Sequence, residues 1–147
     1  MFDELKVGDQ IVTEKRTITS EDIDRFADLS GDHFYAHLKD TQFEGTMFTH
    51  QVAHGYFIMS VAAGLFVDSY DLNPVLLNYG IDELRFTKPV YPDTNVYVRF
   101  TCKEKIEQEV KDENDIPKGI VKWMVEILDE TEEPLVGIAT ILTMVKK

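Results

Sequence analysis

The chain has few cysteines, few basic residues and no very long apolar run. Its single cysteine, Cys102, cannot form an intrachain disulfide. Lysine and arginine total 15 against 27 acidic residues, a net charge of -12 that disfavours nucleic acid as a partner, because no basic block can neutralise phosphates. The first residues, Met1-Phe2-Asp3-Glu4, lack the basic flank and apolar stretch of a signal peptide. We therefore expect a cytoplasmic location.

The remaining composition is that of an ordinary globular protein. Hydrophobic residues make up 44% of the chain and charged residues 29%, which argues against disorder. Its 147 residues are enough for one hydrophobic core. Neither an internal repeat nor a Gly/Ser-rich linker divides them, so the sequence predicts a single domain over residues 1–147.

An amphipathic helix is predicted before residue 31. Thr19 or Ser20 is a suitable N-cap, and Glu21 and Asp22 would favour the positive end of the helix dipole. Gly31 is a suitable terminator, because glycine readily adopts the left-handed conformation that ends many helices.

The longest apolar run covers residues 52–67. Its polar side chains are His54 and Ser60, together with the hydroxyl of Tyr56. The run is about one turn short of the roughly 20 residues that span a bilayer. A helix that is apolar on nearly all sides in a soluble protein is covered on nearly all sides. We therefore predict a buried central helix.

Strand patterns follow the apolar run. Apolar and polar residues alternate with a period of two, which is typical of strands, and strands are predicted within 76–86, 96–102, 121–127 and 136–144. Cys102 is predicted to be a buried strand residue. The segments 107–118 and 131–134 are hairpin connections, which imply an antiparallel sheet. A long apolar helix with such a sheet is α+β and favours a hot-dog fold, in which the sheet wraps around the helix.

Two short motifs carry the candidate chemistry. Asp32 and His37 lie five positions apart after a Ser-Gly turn, and His54-Gly55 begins the apolar run. A carboxylate can hold or deprotonate water, an imidazole can transfer a proton, and a backbone N–H can stabilise charge on a carbonyl oxygen. These groups are those needed to add water to a carbonyl-activated double bond.

The same motifs resemble those of a known family. The signature of the MaoC-like, (R)-specific enoyl-CoA hydratases resembles Ser30-Gly31-Asp32-x-x-x-x-His37 followed by Ala53-His54-Gly55. A segment of hot-dog thioester enzymes resembles Leu84-Arg85-Phe86-Thr87-Lys88-Pro89-Val90-Tyr91-Pro92. The resemblance implies a hot-dog fold, a homodimer and an acyl-CoA substrate. It requires no metal and no cofactor apart from the coenzyme A of the substrate.

The sequence departs from the usual family pattern at two places. Phe34-Tyr35 stands where the family has Asn-Pro, and in this respect the chain more closely resembles the hydratase domains of phenylacetate-degradation ring-opening proteins, which act on oxepin-CoA. The reactive aldehyde product of that reaction would require a separate dehydrogenase. Ala63 occupies the position of a family serine, and Ser60 lies one turn earlier.

The resemblance assigns a role to each candidate residue. Asp32 and His37 would hold one water from two sides, with either of them as the base, and the Gly55 N–H would bind the thioester oxygen. The candidate substrate-binding residues are Phe34, Tyr35, His54, Tyr56, Arg85 and Lys88. Phe34 and Tyr35 would either shape the acyl pocket or fill the space between the loop and the helix. Arg85 and Lys88, with Lys103 and Lys105, are candidates for a local cationic patch that could contact the phosphates of coenzyme A.

Two other functions remain open from the sequence. An acyl-CoA thioesterase needs a carboxylate on or facing the central helix, and residues 52–67 contain none. A non-catalytic acyl-CoA-binding subunit would gain nothing from an acid–base pair. One sheet around one helix also leaves a sheet edge and a helix flank uncovered, which favours a homodimer.

Overall fold

The structure is a computed structural model that describes residues 2–69, 75–132 and 136–147. Its strands are β1 (Gln10–Val12), β2 (Arg16–Ile18), β3 (Val75–Phe86), β4 (Thr94–Glu107), β5 (Lys118–Leu128) and β6 (Gly137–Lys146); its α-helices are α1 (Ser20–Ser30) and α2 (Gly55–Asp68), with a short 3₁₀ turn at Tyr35–His37. The strands are antiparallel in the order β1-β4-β5-β6-β3, and β2 also pairs with β4. The α+β prediction is confirmed.

Helix α1 begins and ends at the predicted residues. The Thr19 hydroxyl accepts a hydrogen bond from the Asp22 N–H, and the Asp22 carboxylate accepts one from the Thr19 N–H. This reciprocal capping box satisfies donors that would otherwise lack partners. Gly31 ends the helix in the left-handed conformation, with φ of 78°.

The core lies between α2 and the long strands. Alternate residues of β4 and β5 are buried as predicted, Cys102 and Trp123 among them, and burial raises the pKa of the Cys102 thiol. In β6 the residues of the core cluster are Ala139, Ile141 and Val145. Apolar side chains lie on both faces of β6, so its pattern alone does not show which face is buried.

The predicted burial of the central helix is only partly correct. Phe57, Ile58, Val61 and Phe66 face the core, whereas a strip of α2 lies open to solvent. The strip comprises Tyr56, Ser60, Ala63, Gly64 and Val67. One sheet around one helix was expected to leave a helix flank uncovered, and this strip is that flank. The apolar pattern did not identify its residues, because it shows that a face can be buried without showing that one chain supplies the cover.

Strand β3 forms an edge of the sheet with exposed apolar side chains. Among the described strands, it pairs with β6 alone and on one side. Leu77, Tyr79 and Ile81 are each about half exposed, as is Phe86 at its end. An unpaired edge of this length and apolarity is a template for association with another chain.

Within the described ranges, no helix is long and apolar enough to cross a membrane. The segment 107–118 connects β4 to β5 as predicted. Residues 133 and 134 of the predicted turn at 131–134 lie outside the described residues.

The first turn of the chain is anchored by Phe2. Its side chain is fully buried against Gly119, where a Cβ atom would lie 2.3 Å from the ring, and the Lys105 ammonium lies 4.6 Å from the ring centroid. We expect Phe2→Ala to lower the free energy of unfolding by about 3 kcal/mol, since it leaves a cavity. Urea unfolding followed by Trp123 fluorescence measures this. Val7→Ala, at an exposed site, is the control, and an equal effect of both changes would contradict the anchoring role.

Candidate active site

Asp32 is placed by the end of helix α1. Gly31 turns the chain out of the helix, and the Asp32 N–H donates to the Ser30 hydroxyl at 3.1 Å. The Asp32 Oδ1 accepts from the Phe34 N–H at 3.2 Å, a turn typical of aspartate. Its side chain remains 50% exposed. These local bonds fix one carboxylate oxygen and leave Oδ2 available.

His37 ends the 3₁₀ turn and faces that carboxylate. Its Nδ1 lies 2.7 Å from the carbonyl oxygen of Val52. Because a carbonyl can only accept, Nδ1 carries the hydrogen and the neutral ring presents a bare Nε2. Nε2 lies 3.9 Å from Asp32 Oδ2. This distance exceeds a direct hydrogen bond but allows one water to contact both atoms.

His54 supports both residues from beneath. It is buried, its Nε2–H donates to the Asp32 carbonyl oxygen at 2.9 Å, and its ring stacks on that of His37 with 3.7 Å between centroids. Its Nδ1 is buried without a partner among the described residues. Burial lowers the pKa of His54 and proximity to His37 adds to the effect, so a neutral ring is favoured. Its position supports a structural role rather than substrate contact.

The N-terminus of helix α2 is left uncapped. The N-cap residue His54 makes no capping bond, because its side chain is directed to Asp32. No described residue accepts from the N–H of Gly55. A Cβ at Gly55 would lie 2.4 Å from the ring of Phe86, so glycine is required for this packing. The free N–H and the helix dipole make this end suitable for a developing negative charge.

A cavity of about 310 Å³ adjoins this helix end. Its lining is mainly apolar and includes Val52, Gly55, Ile58, Phe86 and Lys88. Val52 and Gly55 connect the cavity to the two halves of the site, since the Val52 carbonyl holds His37 and Gly55 carries the free N–H. A cavity with an apolar wall and a few polar groups is typical of a small-molecule site.

Comparison with known proteins identifies the family. Residues 4–123 match the family described as MaoC like domain. The chain belongs to the MaoC-like dehydratase family. It is 50% identical over 104 residues to protein MaoC of Klebsiella aerogenes, and the match covers 71% of this chain and 31% of that protein. It is 34% identical over 76 residues to 3-hydroxyacyl-thioester dehydratase Z of Mycobacterium tuberculosis, and this match covers 50% of each chain. The chain thus spans about a third to a half of these relatives.

Solved structures confirm the hot-dog fold. A monoamine oxidase regulatory protein of Archaeoglobus fulgidus superimposes with a TM-score of 0.85 at 29% identity, covering 99% of this chain and 94% of that one. An (R)-hydratase of Pseudomonas aeruginosa gives 0.78 at 22%, covering 99% and 85%. A double hot-dog protein of Mycobacterium tuberculosis gives 0.82 at 18%, covering 99% and 43%.

The other predicted substrate residues of this MaoC-like domain are divided between the site and its surroundings. Phe34 lies near the site, with its ring centroid 5.9 Å from that of His37, and Tyr35 packs on Phe34 at 4.5 Å. Tyr56 is 70% exposed and its ring meets Phe86 edge-on. Phe34 and Tyr56 are therefore available to a bound molecule near the helix end.

The four basic residues considered for a local patch do not come together. Lys88 lines the cavity, but its ammonium is held by Asp129 at 2.5 Å and Thr131 at 2.9 Å. Arg85 is exposed on β3 and donates to the carbonyl of Leu84. Lys105 contacts Leu5 at the other end of the sheet, and Lys103 is on β4, which does not adjoin β3. The predicted patch is wrong; Lys88 alone lines the cavity.

Asp32, His37 and His54 also bring three possible metal-ligating atoms within 4.8 Å of one another. The two imidazole rings are stacked at 22°, so their in-plane lone pairs run side by side and do not converge on one point. This geometry does not favour a metal ion. The expectation that the reaction requires none stays a prediction.

One buried residue of the site region was missed. Gln51 is 3% exposed and bonds to the main chain of His37. A single glutamine in a polar surface segment gives no periodic signal and matches no motif, so the sequence offered nothing by which to find it. His33 and His50 are both exposed.

The lowered pKa of His54 predicts a pH dependence of stability. The unfolded chain binds a proton at His54 more readily than the folded chain does. The contribution of neutral His54 to the free energy of unfolding is therefore complete above about pH 6.5 and is lost as pH falls. We expect the free energy of unfolding to fall less steeply between pH 7 and pH 5 in His54→Phe than in the wild type. Phe57→Leu is the control for a buried, non-titrating neighbour. Urea titrations at each pH measure both, and an unchanged slope in His54→Phe would refute the assignment.

Proposed function

We propose that this MaoC-like domain is a hydro-lyase that adds water to a 2-enoyl-CoA, or to a related cyclic enol-ether CoA thioester. The observation that carries the proposal is the 3.9 Å gap between Asp32 Oδ2 and His37 Nε2. Both atoms are acceptors, so a water in the gap can donate one hydrogen to each and direct its lone pair outward. Such a water is positioned as a nucleophile before the substrate reacts.

The proposed step forms one C–O bond and one C–H bond. The water oxygen attacks C3 while one of the two acceptors removes its proton, and the electron pair of the C2–C3 double bond moves toward the thioester carbonyl. A proton is then returned to C2, giving a 3-hydroxyacyl thioester. Asp32 and His37 can exchange roles as acid and base because both contact the same water. No metal and no cofactor beyond the coenzyme A of the substrate enters this balance.

The negative charge that develops on the thioester oxygen requires a donor. Gly55 lines the cavity, and its N–H lacks a partner among the described residues and lies at the positive end of a 14-residue helix. One such donor is typically worth about 3 kcal/mol of transition-state stabilisation. Phe34 and Tyr56 would contact the acyl part, and Lys88 the coenzyme A part.

The acyl group defines two versions of the proposal. The dehydratase of Mycobacterium tuberculosis acts, by its description, on 3-hydroxyacyl thioesters, which favours straight-chain 2-enoyl thioesters. The pair Phe34-Tyr35, with its exposed Phe34 ring, favours a cyclic substrate such as oxepin-CoA. Hydration of that enol ether gives a hemiacetal that opens to an aldehyde, and a separate aldehyde dehydrogenase would then act next.

Two rival functions fit the described groups less well. In the described helix α2, the single carboxylate is Asp68, exposed at the end opposite Gly55, so a thioesterase has no base there. A non-catalytic acyl-CoA-binding subunit would not require the free Nε2 and carboxylate oxygen to face each other. The geometry favours the hydratase.

The reaction can be tested with crotonyl-CoA, by following the loss of enoyl-thioester absorbance. We expect Asp32→Asn and His37→Ala each to lower kcat by about 100- to 10,000-fold, since each removes one of the two groups that hold the water. Asp28→Asn and His50→Gln are matched controls at exposed positions outside the pair.

The outcomes separate the versions. If the wild type hydrates crotonyl-CoA and both variants fail, the straight-chain version is supported. If the wild type acts only on oxepin-CoA, the cyclic version replaces it. A wild type that binds both thioesters and turns over neither would establish the binding subunit and end the hydratase proposal.

The second part of the proposal is a homodimer formed through β3 and the open strip of α2. Leu77, Tyr79 and Ile81 on β3 are exposed apolar residues on an unpaired edge, and the exposed strip of α2 is mostly small or apolar. A second copy would extend the sheet across the edge and cover both surfaces with the same residues.

We expect Ile81→Lys to convert the dimer to a monomer, because a charge directed into the interface cannot be desolvated without a partner. Light scattering coupled to size exclusion at micromolar concentration measures the mass. Val12→Lys provides the control, as it places the same charge on the exposed part of β1, the opposite edge of the sheet. A wild type that runs as a monomer, or a variant that stays dimeric, would refute the interface.

A further inference from the structure

Gln51 is a buried side chain whose amide is bonded at both ends. Its Nε2 donates to Asp24 Oδ1 at 2.9 Å and to the carbonyl oxygen of His37 at 2.9 Å, and its Oε1 accepts from the Ser20 hydroxyl at 2.6 Å. A carboxylate and a carbonyl can only accept, so the amide nitrogen must face them. The side chain therefore has one orientation, fixed by two residues of α1.

Asp24 is itself held in place. Its Oδ2 accepts from the Lys39 ammonium at 2.8 Å, and this bond lowers the pKa of Asp24. The carboxylate is consequently charged near neutral pH and orients the Gln51 amide strongly. The network runs from the Lys39 ammonium through Asp24 and Gln51 to the His37 carbonyl. Because Lys39 follows His37 by two residues, both ends of the network lie beside the 3₁₀ turn.

The residue after Gln51 completes the arrangement. The Val52 N–H donates to the carbonyl of Ala36 at 2.8 Å, and the Val52 carbonyl accepts from His37 Nδ1 at 2.7 Å. Two consecutive residues thus hold His37 by its main chain and by its ring.

We infer that Gln51, oriented by Asp24, is a positioning residue that sets His37 relative to Asp32; the inference rests on the proposed hydratase function. Helix α1 leads directly into Asp32, and its residues Ser20 and Asp24 hold the Gln51 side chain. One rigid helix therefore positions both Asp32 and, through Gln51, His37. A displacement of about 1 Å at a reacting group can cost about 100-fold in rate.

The first test is the kinetics of Gln51→Leu. We expect kcat to fall about 10- to 100-fold with KM changed by less than about threefold, because the water is misplaced while the cavity remains. Gln10→Leu, which removes an exposed glutamine bonded to Thr101 on β4, is the matched control. An unchanged kcat in folded Gln51→Leu would overturn the inference.

Asp24 provides a second set of variants should Gln51→Leu not fold. Asp24→Leu removes the acceptor from a partly exposed position and should lower kcat in the same way. Asp24→Asn keeps an oxygen for the Gln51 amide and should restore most of the loss. Equal activity of the two variants would contradict the orienting role.

Two further readouts distinguish positioning from general weakening. In a His37→Ala background, Gln51→Leu should change kcat by less than about twofold, because the residue through which it acts is gone; a full loss there would overturn the inference. Nitrogen NMR of the His37 ring should show the Nδ1–H tautomer in the wild type and a mixture in Gln51→Leu. A wild-type pattern in the variant would also overturn it. This spectrum needs no substrate, so it separates failure of the inference from failure of the hydratase proposal.

Discussion

The candidate site depends on how the extended residues 51–54 are bonded on both sides. On one side, Val52 pairs with the 3₁₀ turn and the His54 side chain reaches the carbonyl of Asp32; on the other, the Ala53 N–H donates to Val90. All four residues are buried. Buried polar groups without partners are costly, so this segment tolerates one register, and that register places the imidazole, the carboxylate and the helix end together.

The two helices of this MaoC-like domain begin in opposite ways. Helix α1 has a complete capping box and two acidic residues in its first turn, whereas α2 has neither. The residue that could have capped α2, His54, is used to hold Asp32 instead. An uncapped N-terminus is unfavourable for folding, and here it leaves a donor free beside a cavity. The hydrogen bond from His54 to the Asp32 carbonyl therefore orders Asp32 and also leaves the Gly55 N–H free.

Most of the fold could be predicted from local patterns. The period-two strands, the caps of α1 and the Asp32–His37 spacing each depend on residues close in sequence, and each was found. An uncovered flank of α2 was expected, but its residues were not predicted, because Ala63 and Val67 look the same whether their cover is in the chain or in a second copy. Nor was the role of Gln51, since its three partners are separated from it by 14 to 31 residues. Lys88 lies beside the cavity as a candidate substrate residue would, but its pairing with Asp129 could not be predicted because the two residues are 41 positions apart.

The neutral His54 connects structure to chemistry. A proton on this ring would place a positive charge 3.7 Å, between centroids, from the ring of His37, and it would create a buried donor at Nδ1 that no described residue accepts. Both effects oppose protonation. In the proposed hydration, His37 would therefore gain a proton from water without a competing charge beneath it, provided that His54 stays buried. Burial of one histidine under another is thus compatible with a stable fold and favourable for proton transfer at Nε2 of His37.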